Sequence, residues 1–485
     1  MIVPVASGNP YFLVIDQGTS STKCFLFDSN NEVVFTRRIK HQLIRPEPHH
    51  VECDAQEIAD ACKALIKECV QFAEEHSSAI HSAGLAVQRS TFLFWDKKTC
   101  EPHSPAISWQ DDRAQDIVRE FQNDAEWIFE KTGTPLNAHF GGAKFLHLIR
   151  KNSKLLRGVN EGNLWFGSLS AFLTHTLTGT VAIDHSIACR SQLLDLKSRL
   201  WDEQLCNLFQ VPLSALPPLA PTSHSFGSIS VDNITIPLNV VMGDQQAALI
   251  GQGGWKTNTI ALNFGTSGSV QYNTGKTALT VDGLISSVLF SDDQHSLYMI
   301  EGTINACNSL FYWLEDELDI PHKEMRWHER CAATKTAGIF IPGFMGIAAP
   351  YWKSAVGIHR IGLDNASDNE IIRAAMESIG FLVSNIIERL DIRDQMPDLL
   401  TASGGGGRPP LLQFIADLLS IPVGHSSMKD RTALGVYYLL KKYAGETIEF
   451  PGTDCDMIFE PAMDNEVRKE KLMSWQSALE TIGLL

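Results

Sequence analysis

A chain of 485 residues, 44% hydrophobic and 20% charged, has ample material for packed cores and exceeds what one core usually supports, so two large domains are expected. Its formal net charge of -16 argues against a surface for nucleic acid or anionic membrane, but not against phosphate held locally by backbone amides. No apolar run reaches the roughly 18 residues of a membrane span, residues 1–10 carry no basic leader, and ten scattered cysteines without CxxC spacing fit a cytoplasmic protein with no zinc site or disulfide framework.

Residues 12–28 are the most pointed stretch. An apolar run from Phe12 to Ile15 breaks at Asp16-Gln-Gly-Thr-Ser-Ser-Thr22 and resumes toward Phe27. Two strands joined by Gly18 and the hydroxyl residues Thr19, Ser20, Ser21 and Thr22 make a tight turn whose N–H and hydroxyl groups form a concave anion site. Asp16 before the turn and Lys23 after it add a carboxylate and a cation, the surroundings of phosphate with a divalent metal. An ordinary hairpin with solvated polar tips is the competing reading. Residues 32–40 read as a further strand. Asp54 then caps a helix with Ile58, Cys62, Leu65, Ile66, Cys69 and Phe72 at helical spacing. Residues 80–88 read as a buried strand ending in Gln88-Arg-Ser90, with 91–96 as its antiparallel continuation. Residues 104–113 run from a strand into a helix and put Trp109, Asp111, Asp112 and Arg113 at the strand's carboxyl end, where open α/β sheets bind ligands. A loop over 132–144 opens a helix, 212–221 is irregular, and 236–250 is a strand, a turn at Gly243-Asp244 and a helix. Asp244 reads there as a helix cap or as a functional carboxylate.

The opening pattern recurs half a chain later. Residues 259–271 are again an apolar strand, a Gly265-Thr-Ser turn and a second strand, which points to a duplicated architecture with one turn from each half facing a shared cleft. Glu301-Gly-Thr-Ile-Asn305 reads as a helix entrance and 342–352 as an aromatic loop. Residues 369–390 read as a helix with Ile371, Ile372, Ala375, Ile379, Val383, Ile386 and Ile387 on its core stripe. A strand near 399 runs into Gly404–Gly407 and a helix from about Leu411, a turn that lets backbone approach a flat or anionic ligand.

In this order, Asp16–Lys23, Gly243-Asp-Gln-Gln-Ala-Ala-Leu249, Gly265-Thr-Ser-Gly268, Gly357-Ile-His-Arg-Ile-Gly-Leu363 with the helix from Asn369, and Gly404–Gly407 resemble the FGGY carbohydrate kinases over essentially the whole chain. Within that family the glycerol kinase branch is the most similar. The resemblance implies an α/β fold of two actin-like (ribonuclease H-like) domains around an interdomain cleft. Residues 1–250 would mainly bind sugar and carry the base, and 251–485 would mainly bind ATP. It implies Asp244 as the general base and Asp16 as the carboxylate associated with Mg²⁺. Thr19, Ser20 and Lys23, beside the Gly18 turn, would meet the γ-phosphate, Lys23 standing where glycerol kinases carry arginine. Gly265 and Thr266 would form the β/γ-phosphate hairpin, and Gly405 and Gly406 the adenosine-side turn. Arg89, Ser90, Trp109, His139, Asp244 and Gln245 would contact the acceptor.

The acceptor site departs from the glycerol kinase pattern. Ser90 replaces an acid, His139 a tyrosine, Ser269 an aromatic, and His147 stands where a tryptophan is expected. A site stripped of hydrogen-bonding partners changes specificity more than affinity, so a roomier pocket for a longer polyol or a ketose, of the xylulokinase or ribulokinase type, is expected. Two readings of other classes compete: an actin- or chaperone-like ATPase, and a non-catalytic sugar sensor. Family members are often dimers or tetramers, and no interface is legible in the sequence.

Overall fold

The computed structural model describes residues 10–392, 395–426, 430–448, 450 and 455–485. The expectation that residues 1–10 carry no leader concerns a stretch almost wholly outside the described residues. The opening apolar run is buried on both faces. Leu13 and Ile15 enter one core with the helix Ala55–Glu75, whereas Phe12 and Val14 enter a second, the pattern of a strand covered on both sides. Asp54 caps that helix as expected, accepting from Gln56 and Glu57 N–H.

The first sheet has the order Ser228–Val231, Ile234–Gly243, Ile80–Val87, Tyr11–Gln17, Ser21–Phe27, Val33–Lys40. Its last three strands form an antiparallel meander, and Ile80–Val87 and Ile234–Gly243 add in parallel beside Tyr11–Gln17. The second sheet repeats this. Ile260–Phe264, Gly268–Gly275 and Ser296–Ile304 form the antiparallel meander, and Leu400–Ser403 and Val423–His425 add in parallel beside its first strand. Ile285–Ser291 and Met457–Phe459 flank it. The duplication read from two short turns is thus a duplication of whole sheets, the two-domain α/β fold expected.

Between the sheets cross two helices, Asp244–Gly251 and Arg431–Tyr443, within a core that also takes Phe12, Val14, Met242, Phe290 and Met299. The crossing is backbone on backbone. A Cβ added to Gly435 would lie 2.0 Å from the Ala247 carbonyl oxygen, and one on Gly251 would lie 2.0 Å from that of Arg431. Gly435→Ala is expected to destabilise the protein by about 1–3 kcal/mol, the range for overpacking, read as a lowered midpoint in denaturant unfolding. An unchanged midpoint would show that the crossing can open without loss.

Four sequence expectations are corrected. Phe92–Asp96 does not pair with Ile80–Val87; it pairs with Ala106–Ile107 and Leu164–Ser168 in a separate small sheet. Ser90 takes φ 57° and turns the chain out of the first sheet. The strand expected over 104–113 shrinks to Ala106–Ile107, and the next helix starts only at Gln115. Glu301 lies inside the strand Ser296–Ile304, with the helix beginning at Asn308, because apolar Met299, Ile300 and Ile304 around it are drawn into the sheet's cores. Asp244 is the first residue of its helix, and Gly243 holds the cap position. The helix Asp368–Leu390 buries every residue of its expected stripe.

Candidate active site

The first hairpin is closed by Gly18 N–H donating to the Ser21 carbonyl at 3.0 Å, with Asp16 directly opposite Lys23 in the strand pairing. Burial raises the Asp16 carboxyl to about 7, with Asp244 and Asp430 pushing the same way and Lys23 opposing. Excess negative charge in a confined place is what a cation relieves. Among the described residues no group of three or more side chains could hold a metal alone, so a divalent ion here would rest on Asp16 together with ligand oxygens, as Mg²⁺ commonly does. Lys23 reaches across to Asp430, Nζ to Oδ1 at 3.0 Å, and so ties the hairpin to the start of the crossing helix. Thr19 accepts a hydrogen bond from Trp109 Nε1 at 2.9 Å, which keeps its own hydroxyl proton available. Ser20 is exposed at the tip.

Asp244 and Arg89 follow neighbouring parallel strands, Gly243 being in register with Val87. The approach is close: a Cβ on Gly243 would lie 2.5 Å from Gln246 Oε1 and 2.9 Å from Arg89 Cδ. Asp244 stands at the cleft floor with its side chain 23% exposed, Oδ1 3.7 Å from Arg89 Nε and accepting from Gln245 N–H at 2.8 Å. Burial raises its pKa above the ordinary carboxylate value, Arg89 lowers it, and Glu301 raises it. The Arg89 fork points elsewhere, to Glu301, with bonds of 2.8 and 2.9 Å. Arg190 adds a third at 2.8 Å. Two guanidinium groups hold buried Glu301 well below the usual carboxylate range, at about 2, against the opposing effect of its burial.

Ser90 and Trp109 are positioned from below by Lys144. Its buried ammonium donates to the carbonyls of Ser90 and Ser108, both at 2.7 Å, and burial lowers it to about 7. His139 Nδ1 lies 3.2 Å from the Asp111 carbonyl; burial lowers its pKa below the usual histidine value, which favours the neutral ring. Asp111 and Arg113, read from the sequence as charges at a ligand-binding strand end, turn inward instead. Asp111 is fully buried, accepts from Val51 N–H and is gripped by Arg113, which also pairs with Glu52. They brace the loop that carries Trp109.

The second hairpin mirrors the first, with Gly265 N–H donating to the Ser267 carbonyl at 2.9 Å. The carbonyls of Gly265 and Thr266 accept from the N–H groups of Asn308, Cys307 and Ser309 at the start of the next helix. The glycine run packs against its back: Gly404 has φ 93°, a Cβ there would lie 2.3 Å from the Phe264 carbonyl oxygen, and Gly406 N–H donates to that oxygen at 2.9 Å. Gly405 has open space in front of it. A chain of amides joins the two ends of the cleft, Gln271 donating to Gln245 and Asn263 to Gln271, while Gln252 and Ser403 donate to Asn263. Hydrogen bonds and charge couplings thus connect the first hairpin with Asp430 and Asp244, and the Asp244 helix with the second hairpin and the strand before the glycine turn.

Residues 11–251 match the N-terminal domain, and residues 260–440 the C-terminal domain, of the FGGY family of carbohydrate kinases. The chain belongs to this family. This FGGY chain is 31% identical to the glycerol kinase of Pseudarthrobacter chlorophenolicus, with 97% of each chain covered. It is 32% identical to that of a Thermoanaerobacter species, with 97% of this chain and 98% of the relative covered. Among solved structures it is similar to Plasmodium falciparum glycerol kinase with ADP, with a TM-score of 0.91, 28% identity and 98% of each chain covered. The fold is also shared with xylulose kinase from Rhodospirillum rubrum, at a TM-score of 0.87 and 20% identity over 97% of this chain and 99% of that one. Three site residues carry no sequence signal of their own. Arg190 lies in no motif, Glu301 reads as a helix entrance, and Asp430 belongs to no recognisable pattern.

Proposed function

We propose that this FGGY kinase transfers the γ-phosphoryl group of ATP to a hydroxyl of a small polyol or sugar. The observation that carries this reading is one partly exposed carboxylate, Asp244, on the cleft floor within reach of both the Asp16 hairpin and the acceptor residues. Phosphoryl transfer through a loose transition state asks the protein for alignment and charge stabilisation, with a carboxylate to take the acceptor proton as the new bond forms. Asp244 takes that proton. The amides of the Gly18 and Gly265 turns, with Thr19 and Ser20, bind phosphate oxygens. Gly405 and Gly406 leave the flat surface against which adenosine lies. Mg²⁺ on Asp16 would neutralise phosphate charge, and Lys23 partly offsets the rise that burial gives the Asp16 carboxyl. No helix among the described residues is long and apolar enough to cross a membrane.

On the acceptor side, Ser90, His139 and Ser269 line the site with Trp109, Gln245 and Arg89. The small residues at 90 and 269 favour a longer polyol or a ketose over glycerol, because volume and one charge are removed where glycerol kinases carry larger groups. The expected result is that, in ATP-dependent assays over glycerol, tetritols, pentitols, ketopentoses and ketohexoses, a longer acceptor exceeds glycerol in kcat/KM by about tenfold or more, the scale of one misfitted group. Glycerol leading by a wide margin would reverse the acceptor assignment. ATP turnover independent of any acceptor would favour the ATPase reading.

A further inference from the structure

We infer that Glu301, fixed by Arg190, is a positioning residue that holds the Arg89 guanidinium beside Asp244 without letting it close on that carboxylate. This rests on the reading of Asp244 as the base. Arg89 has five N–H donors in a rigid fork that matches a carboxylate bidentately. Two carboxylates compete for it. Glu301 takes the fork, Nη1 to Oε2 at 2.8 Å and Nη2 to Oε1 at 2.9 Å, whereas Asp244 faces only the Nε edge at 3.7 Å, beyond hydrogen-bond distance.

Glu301 is held for this task. Its side chain is 3% exposed, and Arg190, 4% exposed, donates to the same Oε2 at 2.8 Å. Glu301 stands mid-strand in the second sheet, opposite Gln271, while Arg89 and Arg190 come from the first half of the chain. Gly243 leaves room for the Arg89 stem, since a Cβ there would lie 2.9 Å from Cδ and 3.0 Å from Cγ. The four groups Asp244, Arg89, Glu301 and Arg190 sum to zero charge, so the cluster holds no uncompensated ion.

The chemical consequence concerns the base. A guanidinium closed bidentately on Asp244 would occupy the oxygens that must receive the acceptor proton and would make the carboxylate a poorer base. A guanidinium kept at 3.7 Å still favours the ionised form electrostatically and leaves Asp244 Oδ2 uncovered by it. Removing the Glu301 charge has two effects of the same sign: it withdraws a negative charge that opposes ionisation of Asp244, and it frees the fork to swing onto it. The charged groups facing Asp244 are Arg89, Glu301 and, from the first hairpin, Asp16.

The test uses full-length protein, ATP with Mg²⁺ and the best acceptor from the panel, comparing wild type with Glu301→Gln and Glu301→Asp. The expected result for Glu301→Gln is a kcat lowered by tenfold or more, with the acidic limb of the kcat profile moved to lower pH. Glu301→Asp keeps the charge but is one methylene shorter, and is expected to fall between the two in both readouts. A merely structural role lowers the active fraction and leaves the limb in place; a limb at the wild-type position in whichever of the two variants folds overturns the inference. Asp244→Asn is run in parallel. Activity surviving in that variant overturns the reading of Asp244 as base, whereas an inactive Asp244→Asn beside an unmoved limb in the Glu301 variants overturns the positioning role alone.

Discussion

Asp244→Asn is expected to lower kcat by about 10²–10⁴-fold, the range supplied by a positioned general base, while ATP and ADP still bind with nearly unchanged affinity. Asn preserves the volume and the acceptor oxygen that meets Gln245 N–H, so the loss isolates proton acceptance. At about 1.4 kcal/mol for each tenfold, this is roughly 3–5 kcal/mol of transition-state stabilisation. Initial rates with saturating acceptor, set beside nucleotide titration by calorimetry, check it. Loss of nucleotide affinity in step with kcat would mean that the substitution had damaged the cleft rather than removed a base. The pH dependence has a definite sign. Burial lifts Asp244 above the ordinary carboxylate value against the pull of Arg89, and a base must be ionised, so turnover falls as pH drops through that raised pKa. The acidic limb should therefore lie above that of an exposed aspartate.

Asp16→Asn is expected to cost about 10²–10³-fold in kcat, the several kcal/mol that a correctly held metal contributes to a phosphoryl-transfer transition state. It should also raise the Mg²⁺ concentration needed for half-maximal rate. The carboxyl titrates near 7 in the free protein because burial, Asp244 and Asp430 together outweigh Lys23. A metal ligand must lose its proton. Apparent Mg²⁺ affinity in the wild type should thus weaken about tenfold for each pH unit below this value and level off above it, and the Asn variant should lose that dependence. Mg²⁺ titrations of the initial rate at about pH 6 and about pH 8 separate the two. An Asn variant that keeps both its rate and its Mg²⁺ requirement would remove Asp16 from the phosphate site.

The turns of the candidate site were legible because they are local. Gly18 and Gly265 announce tight turns within a few residues of apolar strands, and the Gly404–Gly407 run announces a close backbone approach; the structure forms both turns and packs the glycine run against the Phe264 backbone. The misreadings share one cause. Residues 91–96 have strand character, but nothing local names their partner, and the positive φ of Ser90 redirects them into another sheet. Asp111 and Arg113 look like cleft charges, yet Arg113 turns inward and pairs with both Asp111 and Glu52.

By itself the sequence determined the two glycine turns with their flanking strands and the long helices, that the pattern occurs twice, and which carboxylates stand at turn mouths, since each follows from steric and capping preferences acting over a few residues. Only the tertiary structure decided how those residues are charged and oriented. Arg89 meets Glu301 across 212 positions of chain, and Trp109 meets Thr19 across 90. Lys23 meets Asp430 across 407. Such partners are chosen by sheet register and by the packing of two glycine-crossed helices, and no local pattern encodes them. The charge state of the proposed base is therefore set by the meeting of the two halves.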